Sequence, residues 1–147
     1  MQSTFGINNG VLEISILGNE GTHDLSQNLA PRVLQTVHDD DFGVEVKFNS
    51  VPSSTYQMQG IIVQGAGYRL RFETYFGGQT YFYANGYGAS FGAQVNQPIG
   101  GPIPAYLRVV RTGNDFAFDY SYDGSTWTNI VTRTVPVVVS RSWNLRC

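Results

Sequence analysis

Paired carboxylates are the first candidates for chemistry in this sequence. Hydrolysis of a glycosidic bond needs two carboxyl groups roughly 5 to 9.5 Å apart, and residues i and i+2 of a strand provide that separation. Asp39 and Asp41 have the spacing but belong to a turn-like run, where carboxylates are usually solvated. Glu45 and Glu73 are the strand carboxylates that remain on the predicted polar face. The carboxylates therefore do not favour a hydrolase.

The histidines and the cysteine do not complete a nucleophilic site. His23 and His38 fall in loop-like sequence, and the single cysteine, Cys147, is the last residue. A Ser/His/Asp or Cys/His mechanism needs a base beside its nucleophile, and the spacing of these residues supports no such arrangement. We therefore predict no nucleophilic catalysis.

Aspartates offer the oxygen ligands that Ca²⁺ prefers. The candidates are the run at positions 39–41 and Asp123, all in turn-like sequence. Such a run is more often a solvated turn, and the sequence leaves both interpretations open. The calcium interpretation assigns Asp39, Asp41 and Asp123 as ligands of a structural ion.

Aromatic residues are concentrated between positions 68 and 91, where they alternate with charged ones. Sugars present apolar C–H faces that stack on aromatic rings, and hydroxyls that bond to guanidinium, amide and carboxylate groups. Aromatics also fill cores, which is the interpretation we favour for Phe72 and Phe82. The predicted ligand contacts are Gln57, Gln59, Arg69, Arg71, Glu73, Tyr81 and Tyr83.

Short strands must position these side chains, because apolar residues recur with period two and no long stretch has the helical period. Residues 3–8 and 11–17 form a predicted hairpin around Asn9-Gly10, which suits a two-residue turn. A long loop is predicted at 18–31, and further strands are predicted at 32–37, 43–50, 57–64, 68–75, 79–84, 89–95, 105–112, 115–121 and 127–139. The Pro- and Gly-containing segment 97–104 is predicted to be a loop that cannot lie inside a sheet. This spacing of short strands predicts an all-β sandwich or barrel.

Alternation along the strands assigns their faces. The predicted inward side chains are Val44, Val46, Phe48, Leu70, Phe72, Leu107, Val109, Phe116, Phe118 and Tyr120. Arg69, Arg71 and Glu73 alternate with Leu70 and Phe72, so the cost of burying charge sends them to the opposite face. If the strands at 57–64 and 79–84 flank this one, the predicted contacts form one groove.

Composition limits the class of partner. Charged residues make up 14% of the 147 residues, the net charge is −2 and the basic residues are scattered, so no nucleic acid or anionic membrane surface is expected as a partner. No window approaches the roughly 20 apolar residues of a membrane span. The length suits one domain, over residues 1–147.

Several segments together carry a family resemblance. They are residues 23–25, 30–35, 41–47, 57–63, 106–111 and 122–127, and the most specific part is Arg-x-Gly-Asn at 111–114 followed by Tyr-Asp-Gly-x-x-Trp at 122–127. Over roughly residues 10–135 the sequence resembles bacterial laminin G-like, concanavalin A-like domains, which occur alone or appended to family 43 glycoside hydrolases. The resemblance implies a two-sheet antiparallel jelly-roll sandwich, an association with carbohydrate, and a secreted or cell-surface location.

The ends of the sequence depart from that family. Relatives usually carry one strand before the segment matching 9–16 and a Gly-containing strand after the segment matching 136–141. We therefore expect an uncovered edge strand that is short, charged or covered by a second copy of the chain, as in a homo-oligomer.

The sequence as a whole predicts a non-catalytic, lectin-like module that binds a poly- or oligosaccharide on a polar, aromatic-edged sheet face. The alternative is a protein-interaction or self-associating scaffold domain, and a glycoside hydrolase is the third hypothesis. No cofactor is predicted apart from the calcium ion considered above.

Overall fold

A computed structural model describes residues 4–15, 30–65, 67–88, 91–135 and 143–146. All regular structure in these ranges is strand. No helix in them has the length and apolarity that crossing a bilayer would need. The chain separates into two compact units, residues 1–33 and 34–147.

The first unit contains a hairpin. Strands β1 (Thr4–Asn8) and β2 (Val11–Ser15) pair antiparallel. Asn9 and Gly10 join them with φ angles of 50° and 78°, the left-handed conformation that a two-residue hairpin turn requires. The predicted hairpin is confirmed, while most of the predicted loop at 18–31 lies outside the described residues.

The described residues of the second unit form ten strands in two antiparallel sheets. They are β3 (Leu34–Val37), β4 (Phe42–Lys47), β5 (Met58–Gly65), β6 (Tyr68–Phe76), β7 (Thr80–Tyr87), β8 (Val95–Pro98), β9 (Tyr106–Thr112), β10 (Asp115–Ser121), β11 (Thr128–Thr134) and β12 (Trp143–Arg146). The six-stranded sheet has the order β3-β12-β5-β6-β7-β8, and the four-stranded sheet has the order β11-β10-β9-β4.

The core lies between these two sheets. Among the predicted inward residues, Leu70, Phe72, Leu107, Val109, Phe116 and Phe118 are completely buried, and the other four are partly buried against them. Rings from opposite sheets meet: the Phe72 and Phe118 centroids are 5.4 Å apart, and those of Phe82 and Tyr120 are 4.7 Å apart. The predicted all-β fold of two packed antiparallel sheets is therefore confirmed.

The prediction for the segment around β8 is wrong. A strand was predicted at 89–95 and a loop at 97–104, but residues 91–94 lie outside the strands and β8 runs Val95–Pro98. In the described sheet β8 is an edge strand that pairs only with β7. Pro98 is tolerated there because a proline on an edge strand needs no donor on its solvent side. The backbone N–H of Ile99 continues the pairing to the Thr80 carbonyl at 2.9 Å.

Strand β12 was not predicted at all. It lies between β3 and β5, pairing residues 143–146 with 34–37 and 144–146 with 62–64. The C-terminal segment, where we expected an uncovered edge, is therefore an inner strand of the six-stranded sheet. Self-association through another edge stays a prediction.

Candidate functional site

The outward face of β5, β6 and β7 brings together most of the predicted contacts. Tyr75 is opposite Tyr81, and Glu73 is opposite Tyr83, in the register of β6 with β7. Phe72 and Phe82, which alternate with these residues, are buried in the core. Alternation therefore places Tyr75, Tyr81 and Tyr83 on the outer face of the six-stranded sheet.

These three tyrosines form a packed cluster, called here the tyrosine platform. The rings of Tyr75 and Tyr81 stack with centroids 5.1 Å apart and an interplanar angle of 14°. Tyr83 meets Tyr75 edge-on, at 6.1 Å and 89°. Aromatic pairs in these two geometries are mutually stabilising, so the platform is a fixed surface of half-buried rings.

Amide side chains surround the platform and orient its hydroxyls. The Tyr75 hydroxyl donates to Oδ1 of Asn96 at 2.8 Å. The hydroxyls of Tyr81 and Tyr83 accept from Gln79 at 3.1 Å and from Asn85 at 2.9 Å. Because Tyr81 and Tyr83 accept these bonds, their own hydroxyl hydrogens are left to donate to a ligand oxygen.

Arg71 and Glu73 form a buried ion pair beside the platform. Nη2 of Arg71 lies 2.6 Å from Oε2 of Glu73, and each residue is 4% exposed. The Arg71 guanidinium is also 5.5 Å from the centre of the Tyr83 ring and 3.2 Å from the Met58 sulfur. The two charges cancel locally, and their burial makes them supports of Tyr83 rather than exposed contacts.

Gln57 and Gln59 do not lie on this surface, contrary to the prediction. Gln59 is opposite Thr74 in the register, and Thr74 is buried on the core side of β6. The Gln59 side chain bonds to Ser50, donating to its carbonyl at 2.9 Å and accepting from its hydroxyl at 2.7 Å. Gln57 Oε1 accepts from the backbone N–H groups of residues 53 and 54. Both glutamines therefore hold the segment that leads into β5.

The origin of that error is the apolar run Ile61-Ile62-Val63. Three consecutive apolar residues hide the period of two, so the sequence does not show which of them faces the core. The structure buries all three, with Ile61 and Val63 in the core and Ile62 at 7% exposure on the outer side. Gln59 precedes Ile61 by two residues, so its side chain lies on the same side of the sheet as Ile61.

Arg69 lies further along the same outer face as Arg71. It is opposite Gln64 on β5 and Tyr87 on β7, and it is partly buried. The structure thus places Arg69, Arg71, Glu73, Tyr81 and Tyr83 on one sheet face.

Sequence reasoning missed four residues of the site, Tyr75, Gln79, Asn85 and Asn96. Tyr75 follows the same alternation as Glu73 and could have been included on that ground. Asn85 follows Tyr83 in the same way along β7. Asn96 was missed because β8 was placed too early in the sequence.

The two strand carboxylates considered for hydrolysis are on different sheets. Glu73 lies on β6 and Glu45 on β4. Glu45 is exposed and lies 3.6 Å from Nη1 of Arg108, whose Nη2 also pairs with Asp119 at 2.9 Å. Packed sheets are about 10 Å apart and these two side chains point away from each other, so they do not face a common bond.

The three aspartates predicted to hold calcium do not converge. Asp39 pairs with Nη1 of Arg111 at 2.6 Å, and Asp41 accepts from the backbone N–H of Gly113 at 2.6 Å. Asp123 lies beyond the other end of β9, which is seven residues or roughly 20 Å long. One ion therefore cannot bind all three.

Asp123 instead organises its own turn. Its Oδ1 accepts from the Ser125 N–H at 2.8 Å, the Thr126 N–H at 2.7 Å and the Ser121 hydroxyl at 2.9 Å. These hydrogen bonds, led by the one from Thr126, hold the pKa of the Asp123 carboxyl well below its usual range. Within the described residues no three His, Cys, Asp or Glu side chains are grouped as a metal site would require. Calcium binding at Asp39 and Asp41 stays a prediction.

Comparisons with known proteins give a fold and no family. No family model and no curated protein matches the sequence, so the concanavalin A-like resemblance stays a prediction. Among solved structures, a functionally unknown protein from Saccharomyces cerevisiae is similar with a TM-score of 0.50 and 18% identity, over 76% of this chain and 75% of that one. At that identity the likeness extends to the fold alone.

A second solved structure is a mutant of the GH43 protein BlXynB from Bacillus licheniformis. Its TM-score is 0.48 and its identity 14%, over 71% of this chain. This chain spans only 25% of the length of that protein. The similarity is too low to support an argument about function.

Proposed function

We propose that this domain is a non-catalytic carbohydrate-binding module that binds a glycan on the tyrosine platform. The observation that carries the proposal is the cluster of three half-buried tyrosine rings on an outer sheet face, edged by Gln79, Asn85 and Asn96. Rings supply stacking for sugar C–H faces, and oriented hydroxyls and amides supply hydrogen bonds to sugar hydroxyls.

The charge of the site supports a neutral glycan. Arg71 and Glu73, the charged residues next to the rings, neutralise each other at 2.6 Å and are buried. A charged sugar would gain little from a pair that is already satisfied. Neutral polysaccharides are therefore the preferred ligand class.

A non-enzymatic role is part of the proposal. Glu45 and Glu73 lie on different sheets, and Glu73 is held by Arg71. We expect no release of reducing ends from any polysaccharide that the domain binds. Release that Glu73→Gln abolishes would instead support the glycoside hydrolase hypothesis.

Affinity electrophoresis against a panel of neutral polysaccharides tests the platform. Tyr81→Ala and Tyr83→Ala each remove one ring, and we expect each to weaken retention about tenfold, the value of one lost aromatic contact. Tyr83→Phe keeps the ring and loses only the hydroxyl, so we expect it to weaken retention less than Tyr83→Ala does. Tyr87→Ala, which removes an exposed tyrosine from the same strand outside the platform, is the matched control.

Two outcomes would contradict the proposal. In the first, no polysaccharide of the panel retards the wild-type domain. In the second, Tyr81→Ala and Tyr83→Ala lower the melting temperature but leave retention unchanged, which makes the platform structural. The second outcome would favour the protein-interaction or self-associating scaffold hypothesis.

A further inference from the structure

A separate cleft lies at the hairpin between β10 and β11, on the four-stranded sheet. Its volume is about 290 Å³, and it is lined by Tyr120, Ser121, Tyr122, Asp123, Thr126 and Thr128. None of these residues belongs to the tyrosine platform, which is on the other sheet. The cleft also contains part of the Tyr-Asp-Gly-x-x-Trp segment.

Two tyrosine rings form perpendicular walls of this cleft. Their centroids are 5.7 Å apart and their planes meet at 89°. The Tyr120 ring packs on Phe82 of the opposite sheet at 4.7 Å, so that wall is anchored in the core. Tyr122 is 55% exposed and presents its ring to solvent. An anchored ring beside an exposed ring is a surface on which an apolar face can stack.

The turn that carries the remaining walls is rigid. Ser121, which is 1% exposed, accepts from the backbone N–H of Gly124 at 2.9 Å and donates to Asp123. Gly124 has φ of 77°, and a Cβ at this position would come within 3.0 Å of the Tyr106 ring. The positive φ and the close ring together require glycine here. The cleft is therefore preformed.

The chemistry of the lining selects a ligand class. Thr126 and Thr128 are exposed hydroxyls that can both donate and accept hydrogen bonds. Among the residues that the structure describes, the lining contains a carboxylate, Asp123, and no lysine or arginine. The Asp123 carboxylate would repel an anionic ligand, and no positive charge among the lining residues would offset that repulsion. The volume of about 290 Å³ is just below the roughly 300 to 1,000 Å³ of most small-molecule pockets, which limits the ligand to one ring.

We infer that this cleft is a second ligand site, which binds a single neutral sugar ring by stacking on Tyr122 and hydrogen bonding to Thr126 and Thr128. The site is independent of the tyrosine platform, so either can be present without the other. A module with both sites would bind a glycan at two points on opposite sheets.

Chemical-shift mapping with a methyl β-glucoside tests the cleft. In titrations of the ¹⁵N-labelled domain at millimolar glycoside, we expect the amides of residues 122–128 to shift. Glucuronate, used as its methyl β-glycoside, has a carboxylate in place of the hydroxymethyl group of the same ring and is expected to leave these amides unchanged.

Two variants and one control connect the shifts to the lining residues. Tyr122→Ala is expected to weaken the binding measured at these amides about 5- to 10-fold through loss of the stacking ring. Thr128→Val keeps the shape, removes the hydroxyl and is expected to weaken binding about 2- to 10-fold. Tyr87→Ala removes an exposed tyrosine of the other sheet and should leave the titration unchanged.

The inference is overturned if the glycoside shifts no amide of residues 122–128, if glucuronate shifts them equally, or if Tyr122→Ala leaves the titration unchanged. Shifts confined to β7 would place the sugar on the tyrosine platform alone. These outcomes are distinct from failure of the proposed function, which is measured by polysaccharide retention in the Tyr81 and Tyr83 variants.

Discussion

Burial divides the residues of the outer sheet face into two roles. Arg71 and Glu73 alternate with core residues, so the cost of burying charge correctly sends them out of the core. Both side chains are nevertheless buried on the outer face, because Arg71 lies against Tyr83 and Met58 and pairs with Glu73. Sequence alternation predicts the side of a sheet, but the exposure of a side chain depends on neighbours from other strands.

Tyr68 illustrates how the interior affects a single ionisable group. This tyrosine is buried at the start of β6, and burial raises its pKa from 10.0 to about 12. The Arg111 guanidinium acts in the opposite direction and the Asp39 carboxylate in the same direction as burial, both more weakly. The folded protein therefore keeps the Tyr68 proton to a higher pH than the unfolded chain does.

The free energy of unfolding should consequently fall between pH 10 and about 12. In this window the unfolded state has released the proton that the native state retains, so rising pH favours unfolding. Urea titrations at a series of pH values measure how steeply the free energy of unfolding falls with pH. Tyr68→Phe removes the ionisable hydroxyl and should reduce the fall of unfolding free energy with pH. Tyr87→Phe, a change at an exposed tyrosine, should leave that fall unchanged. An equal slope in wild type and Tyr68→Phe would contradict this assignment.

The strands whose residues alternate cleanly were predictable from the sequence. In β9 and β10, apolar residues at every second position place Leu107, Val109, Phe116 and Phe118 in the core, as observed. The position of β8 was not predictable in this way, because Pro98 argues against any strand unless its edge location is known. Edge location is a property of the assembled sheet, which local sequence does not contain.

At Gly60, the close packing of β5 against β6 leaves no room for a side chain. A Cβ on Gly60 would come within 2.2 Å of the Phe72 carbonyl oxygen and 2.6 Å of the Glu73 Cα, and both atoms belong to the backbone of β6. Backbone atoms cannot rotate away as a flexible side chain can. β5 therefore lies closely against β6 at Gly60, beside the Arg71–Glu73 ion pair.

Gly60→Ala should destabilise the domain by roughly 2 kcal/mol, because the two strands must separate to admit the methyl group. Chemical denaturation measures this change, and binding to the tyrosine platform should weaken with it because Glu73 is displaced. Gly43→Ala is the matched control, since Gly43 is also a strand glycine and no atom of the described residues lies within 4 Å of its added Cβ. A Gly60 variant as stable as the Gly43 variant would show that β5 and β6 tolerate the added group.

At the scale of the whole chain, the six-stranded sheet depends on pairing between distant segments. β12 joins residues near the C-terminus to β3 and β5, with positions 143–146 paired to 34–37 and positions 144–146 paired to 62–64. Local periodicity cannot reveal such a partner, because the two segments are far apart in the sequence. They meet only when the sheet assembles and the long loop between them closes. The C-terminal segment was accordingly expected to leave an edge uncovered, and it instead supplies an inner strand.

Removing residues 143–147 should therefore damage the fold more than its length suggests. The deletion takes away ladder hydrogen bonds on both sides of β12 and leaves β5, with Ile62 and Val63, as an unpaired edge. We expect a loss of unfolding free energy on the order of 3 kcal/mol or more, a large part of the total for a domain of this size. The newly exposed edge should also produce concentration-dependent oligomers in sedimentation velocity, because unpaired backbone groups pair with those of other chains.

The control is a chain ending at Arg146, which keeps β12 and lacks the thiol of Cys147. If both truncated chains unfold at the same urea midpoint and remain monomeric, β12 does not hold the six-stranded sheet together.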